Sequence, residues 1–117
     1  RWHGDLNYAN IIWSPFEVTA IDWRPDFAGV VEWGDQRYDH AKLIAGCTID
    51  WGRAQRGDLR PAQLNGHAEY FREHLSQHDH GTEVIAALAM INSAPLHAPP
   101  FDEVLVQRGA ERLGELL

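Results

Sequence analysis

His3-Gly4-Asp5-Leu6-Asn7-Tyr8-Ala9-Asn10, with Asp22 twelve residues further on, is the most informative stretch of this chain. It is followed by Ile11-Ile12-Trp13, punctuated by Ser14-Pro15, and then by the β-branched run Val18-Thr19-Ala20-Ile21. Two short β-rich runs around a turn predict a hairpin. A hairpin brings its ends together, so Asp22 returns to the neighbourhood of Asp5 and Asn10. An aspartate in the loop before a hairpin can accept the proton of an attacking hydroxyl. An asparagine five residues later offers a carbonyl oxygen to a hard cation. Two carboxylates and an amide that converge suit Mg²⁺, which favours carboxylates together with nucleotide phosphates. A base, a metal-binding Asn and a metal-binding Asp are the parts needed for phosphoryl transfer.

The remainder of the chain reads as helical. Asp35 is a predicted N-cap for a helix over 36–48, with Tyr38, Ala41, Leu43, Ile44 and Ala45 as its apolar positions. Residues 51–60 carry two glycines and four charges and read as a connector. A helix is expected from Pro61 to about His78, a second capped by Thr82 and ending before Pro95, and a last one capped by Asp102. The fold class is therefore α+β, mostly helical: a small hairpin followed by helices.

The His3 to Asn10 run resembles the catalytic loop of the phosphotransferases that include aminoglycoside phosphotransferases and choline kinases, which share the protein-kinase-like fold. Ile21-Asp22-Trp23 stands where kinases carry their metal-binding Asp-Phe-Gly segment. The five identities His3, Gly4, Asp5, Asn10 and Asp22 coincide by chance at only ~10⁻⁶ to 10⁻⁷ per start, at roughly 5% usage each. The resemblance implies that Asp5 is the catalytic base and that Asn10 and Asp22 hold Mg²⁺ against ATP. It implies that His3 supports the loop by hydrogen bonding, and that Asp39, in Tyr38-Asp39, braces the loop backbone. The run Gly34 to Leu43, with Pro95-Leu96-His97, is similar to a bacterial subgroup associated with capsular polysaccharide or sugar metabolism. Protein kinases are the poorer comparison, because His-Gly-Asp replaces His-Arg-Asp and the 36–48 helix follows Trp23 closely.

In that family a glycine-rich phosphate loop, a strand Lys and its Glu partner precede the catalytic loop. The resemblance therefore casts residues 1–117 as the C-terminal part of a phosphotransferase domain. Residues 1–35 would form the catalytic loop, hairpin and metal segment, and residues 36–117 the helical part. The N-terminal nucleotide-binding lobe would be absent and the chain alone inert. The expected activity is ATP-dependent transfer to a hydroxyl of a small-molecule substrate (aminoglycoside, choline or sugar-like). The alternative is a non-catalytic kinase-like binding module.

Composition bounds these readings. The chain has 117 residues, 10 Lys+Arg against 17 Asp+Glu, and a net charge of −7, which argues against a nucleic-acid or anionic-membrane binder. A single cysteine, Cys47, excludes an internal disulfide and reads as a small core residue. No apolar run approaches the ~18–20 residues of a membrane span. With no signal-peptide pattern at the start, the expectation is a cytoplasmic protein. His74, His78 and His80 lack a third ligand of clear spacing and read as a solvated helix end rather than a zinc site. Asp50 shares the Ile-Asp-Trp context of Asp22 but follows a helix, which favours a turn or helix-end role. Most of the five tryptophans are expected to pack internally, with Trp33 the best candidate to touch a substrate. Asp26, Glu32 and Asp35 make the loop around Trp33 acidic, which would suit a cationic or polyhydroxylated ligand.

Overall fold

Residues 2–26, 29–30, 33–58, 60, 65–75 and 78–117 are described by a computed structural model. Within them the chain is mostly helical and carries one small antiparallel sheet. A 3-10 turn at Tyr8–Asn10 leads into β1 (Ile11–Trp13), which pairs with β2 (Val18–Ala20). The register sets Ile11 against Ala20, Ile12 against Thr19 and Trp13 against Val18. The Ile21 N–H donates to the Asn10 carbonyl at 2.9 Å, which carries the ladder past the end of β2. The hairpin therefore forms and closes on Asn10.

α1 (Gln36–Thr48) covers the range its periodicity predicts, and the Asp35 carboxylate accepts the Arg37 N–H at 2.9 Å as its cap. α2 (Trp51–Ala54) is a single turn inside the expected connector, started by Asp50, which accepts the Arg53 N–H at 2.9 Å. That cap outweighs the two local glycines, and it gives Asp50 a helix-end role. α3 (Asn65–His74) ends four residues short of the predicted His78, and Pro61–Leu64 lie outside the described residues. His74 closes α3 by donating from Nδ1 to the Tyr70 carbonyl at 2.8 Å while stacking on the Tyr70 ring.

α4 (His80–Ser93) starts before the predicted Thr82, because Asp79 is the better cap. Its carboxylate accepts the Thr82 N–H at 2.8 Å, and Thr82 Oγ1 accepts the Asp79 N–H at 3.3 Å, a reciprocal capping box. α5 (Phe101–Leu116) begins at Phe101, so Asp102 falls in the first turn instead of at the cap.

α4 is the central element, packed on α1 and on α5, with α3 against α1. Ile44, Met90, Phe101 and Leu105 fill the space between helices. Small residues bring α4 and α5 close: a Cβ at Gly109 would meet the Ala87 carbonyl oxygen at 2.7 Å. Cys47 is buried in α1, as its size suggests. The tryptophans depart from expectation. Trp2 is buried and Trp51 partly so, but Trp13, Trp23 and Trp33 are exposed. The cause for Trp13 is the thin sheet, since no described layer covers the outward faces of Ile12, Trp13 and Val18. Among the described residues no helix is long and apolar enough to cross a membrane.

One buried charge ties the helical part together. Glu83 of α4 accepts from Arg72 of α3 at 2.6 Å, from Arg112 of α5 at 3.0 Å and pairs with His78 at 2.8 Å. Burial pushes this carboxyl up, but the bonds from Arg72, His78 and Arg112 outweigh it and bring its pKa from 4.5 down to about 2. A depressed folded pKa means that the unfolded chain binds the extra proton between those two values. The stabilisation is thus complete above about pH 5 and is lost as pH falls towards 2. Acid titration of the melting temperature should show a decline in that window, on the order of 3 kcal/mol in all for this group. In Glu83→Gln the decline should be shallower. An unchanged acid limb in that variant would remove Glu83 from the account.

Candidate active site

The loop that carries Asp5 is held from below by α1. Asp39, buried in the first turn of α1, accepts the His3 N–H at 2.6 Å and the Gly4 N–H at 2.8 Å. Gly4 has φ of +83°, a left-handed backbone that favours glycine, and a Cβ there would strike the Trp2 ring and Arg24. Tyr8 anchors the far end. Its hydroxyl lies 2.8 Å from Cys47 Sγ, and its ring passes over Gly46, where a Cβ would stand 3.0 Å away. Burial first, then this contact, raises the Tyr8 pKa. Burial likewise raises the Cys47 thiol, against the opposing pull of Tyr8 and Arg72, so it carries no activated thiolate.

His3 joins this loop to the segment of Asp22. Its Nδ1 accepts the Asp5 N–H at 3.3 Å, which leaves Nε2 as the donor to the Ile21 carbonyl at 2.8 Å. The Arg24 N–H donates back to the His3 carbonyl at 3.0 Å, and the Trp23 ring lies 4.7 Å from the imidazole. Asp22 sits between these two stitches with φ of +63°. Among the described residues it is the only non-glycine with a positive φ. Strain of this kind costs about 1–3 kcal/mol and persists where surrounding bonds over-determine it.

Asn10 and Asp22 flank the open end of the hairpin, away from the Ser14–Glu17 turn. Asn10 donates from Nδ2 to the Asp5 carbonyl at 2.9 Å, which turns the amide so that Oδ1 remains an acceptor. The Asp22 carboxylate is exposed and makes no hydrogen bond or ion pair with another described residue. An oriented amide oxygen and an uncommitted carboxylate fit a hard cation that brings further oxygen ligands of its own. Among the described residues no cluster of three His, Cys, Asp or Glu is placed to hold a metal by itself.

Asp5 is half-buried between two cations that the sequence reading did not single out. Lys42 Nζ lies 3.0 Å from Oδ1 and Arg24 4.0 Å from Oδ2. Burial pushes the Asp5 carboxyl up, but Lys42, then Arg24 and Asn7, overcome it and hold its pKa below the usual carboxylate value. Asp5 is therefore ionised at neutral pH. Lys42 could have been found from Asp39: it is three residues on, hence on the same face of α1, and that face points at the loop.

Beside Asp5 opens a cavity of about 410 Å³. Lys42, Ala45 and Gly46 of α1 line it along one stripe, together with Ala89 and Ser93 of α4 and with Trp51, Leu96 and His97. Trp33, the expected substrate contact, is exposed and does not line this cavity; Trp51, within the supposed connector, does. The acidic loop is also turned elsewhere. Asp35 caps α1 and pairs with Arg37, Asp26 accepts the Gly29 N–H at 3.4 Å, and Glu32 lies outside the described residues. Comparison with family models, with curated proteins and with solved structures finds no match for this chain.

Proposed function

We propose that this chain carries the catalytic loop, metal segment and acceptor cavity of an ATP- and Mg²⁺-dependent phosphotransferase acting on a small-molecule hydroxyl, in a helical lobe of protein-kinase-like type. The observation that carries the reading is Asp22, an exposed carboxylate held in a left-handed backbone by bonds on both sides. A solvated strand end needs no such arrangement, whereas a ligand-binding carboxylate gains from being fixed before the ligand arrives.

The chain's own residues then have distinct tasks. Asp5, ionised and steadied by Lys42, would accept the hydrogen bond of the substrate hydroxyl and take its proton as the new O–P bond forms and the bond between the γ-phosphorus and the β–γ bridging oxygen breaks, releasing ADP. Asp39 and His3 keep the Asp5 backbone in one place. Asn10 and Asp22 would hold Mg²⁺, which when bound neutralises charge on the nucleotide phosphates. The cavity orients the acceptor, and rate comes from positioning rather than from a covalent intermediate. A cavity of about 410 Å³ suits a small molecule and not a polypeptide segment.

The test is paramagnetic line broadening. Mn²⁺ with ATP, titrated into the isotope-labelled protein, should broaden the Asn10 side-chain amide and the Asp22 backbone amide first. Asp22→Ala should abolish that pattern and leave the rest of the spectrum intact. Broadening centred on Asp102 and Glu103 in the first turn of α5, with Asn10 and Asp22 untouched, would defeat the metal assignment and the function built on it.

A further inference from the structure

The geometry points to an acceptor of a particular charge: a hydroxylated, flat apolar molecule that carries an anionic group, with Arg24 as the residue that selects it. The inference rests on the phosphotransferase reading only in taking Asp5 as the partner of the hydroxyl.

The described residues lining the cavity include one carboxylate, Asp5, and two cations, Arg24 and Lys42. Lys42 is committed. Its side chain is only 15% exposed and its ammonium sits 3.0 Å from Asp5, so the two charges largely cancel inside the cavity. Arg24 is not committed in this way. Its guanidinium stands 4.0 Å from Asp5 and its side chain is 55% exposed. At that distance and exposure the pair contributes little, and the five donors of the guanidinium remain for a ligand. The backbone of Arg24 is nevertheless fixed by its N–H bond to the His3 carbonyl, so the side chain starts from a defined place beside the loop. The cavity thus presents a surplus positive charge. A cationic acceptor such as choline or an aminoglycoside would meet it with no described lining carboxylate beyond the one that Lys42 already occupies.

The rest of the cavity specifies the body of the ligand. Ala45, Ala89 and the Tyr8 ring that passes over Gly46 give an apolar wall. Trp51 also lines the cavity, held edge-on by Phe101 at 5.3 Å and beside His97 at 5.6 Å. A fixed indole next to small residues favours a flat ring or a short apolar chain. A carboxylate or phosphate of the acceptor reaches Arg24, and charge-assisted, bidentate pairing with a guanidinium supplies the discrimination.

A matched series isolates charge from shape: para-hydroxyphenylacetate, its neutral amide, and tyramine share one hydroxylated ring and differ in the sign of the tail. Binding to the full-length protein is read by calorimetry and by the shift of the Trp51 indole N–H signal. The acid should bind about tenfold more tightly than tyramine, with the amide between them. Arg24→Gln, an exposed substitution that leaves the fold unaffected, should bring all three to within about twofold of one another. Tyramine binding as tightly as the acid would overturn the inference, as would an acid preference that survives in Arg24→Gln. Failure of all three to move the Trp51 signal would overturn the aromatic body. These outcomes are separate from the metal test: a cation preference with Mn²⁺ broadening intact at Asn10 and Asp22 defeats this inference alone, and lost broadening with the acid preference intact defeats only the phosphotransferase.

Discussion

Asp39→Ala is expected to destabilise the protein by about 2–5 kcal/mol, although Asp39 touches no ligand in any reading of the site. Asp39 is 6% exposed, and its carboxylate accepts two backbone N–H groups, His3 at 2.6 Å and Gly4 at 2.8 Å. Alanine removes the acceptor and leaves both donors inside, because His3 and Gly4 are themselves buried. Each orphaned donor costs about 1–3 kcal/mol, more than the net value of the bond it made. Asn in place of Asp keeps one acceptor oxygen and should fall between the two. Urea unfolding monitored by tryptophan fluorescence gives the numbers. A loss below about 1 kcal/mol for alanine would mean that the loop is held by Tyr8 and His3 instead of by α1.

The hairpin and α1 were legible because their signals are local. Two β-rich runs around Ser14-Pro15 and a cap at Asp35 need no knowledge of the rest of the chain. Closure of the hairpin on Asn10 follows from the same pattern, which is why Asn10 and Asp22 could be named together. α2 and the start of α4 were misjudged for one shared reason. In each case an aspartate that caps a helix, Asp50 or Asp79, competed with a stronger-looking neighbour, the glycines of 51–60 or Thr82. Lys42 and Arg24 escaped because pairing with Asp5 is a tertiary fact. Lys42 lies 37 positions from Asp5 in sequence and meets it only because Asp39 docks the loop on the same helical stripe. Trp51 escaped for the same reason: α1 is its neighbour in sequence, but the Asp5 loop, α4 and Leu96, which complete the cavity it lines, lie more than 25 positions away.

Under the proposed function, Asp5→Asn is expected to lower phosphoryl transfer on the order of 10²- to 10⁴-fold while leaving nucleotide binding nearly unchanged. The substitution keeps the shape of the side chain and removes only its capacity to accept a proton. Lys42→Met supplies the complementary measurement. As the proposed base Asp5 would work in its ionised form, so the rate is expected to fall as pH drops through its pKa. Lys42 is the chief cation opposing the effect of burial, and Arg24 and Asn7 help less. Without Lys42, burial prevails, the Asp5 pKa rises, and the acid limb of the pH–rate profile moves to higher pH. Purely structural damage at Lys42 would lower the rate at every pH and leave the limb where it was. Near-normal turnover by Asp5→Asn would remove Asp5 as the base, and a stationary acid limb in Lys42→Met would show that the 3.0 Å ion pair does not govern the group that titrates in the reaction. The two variants together therefore separate a carboxylate that performs the proton transfer from one that merely lines the cavity.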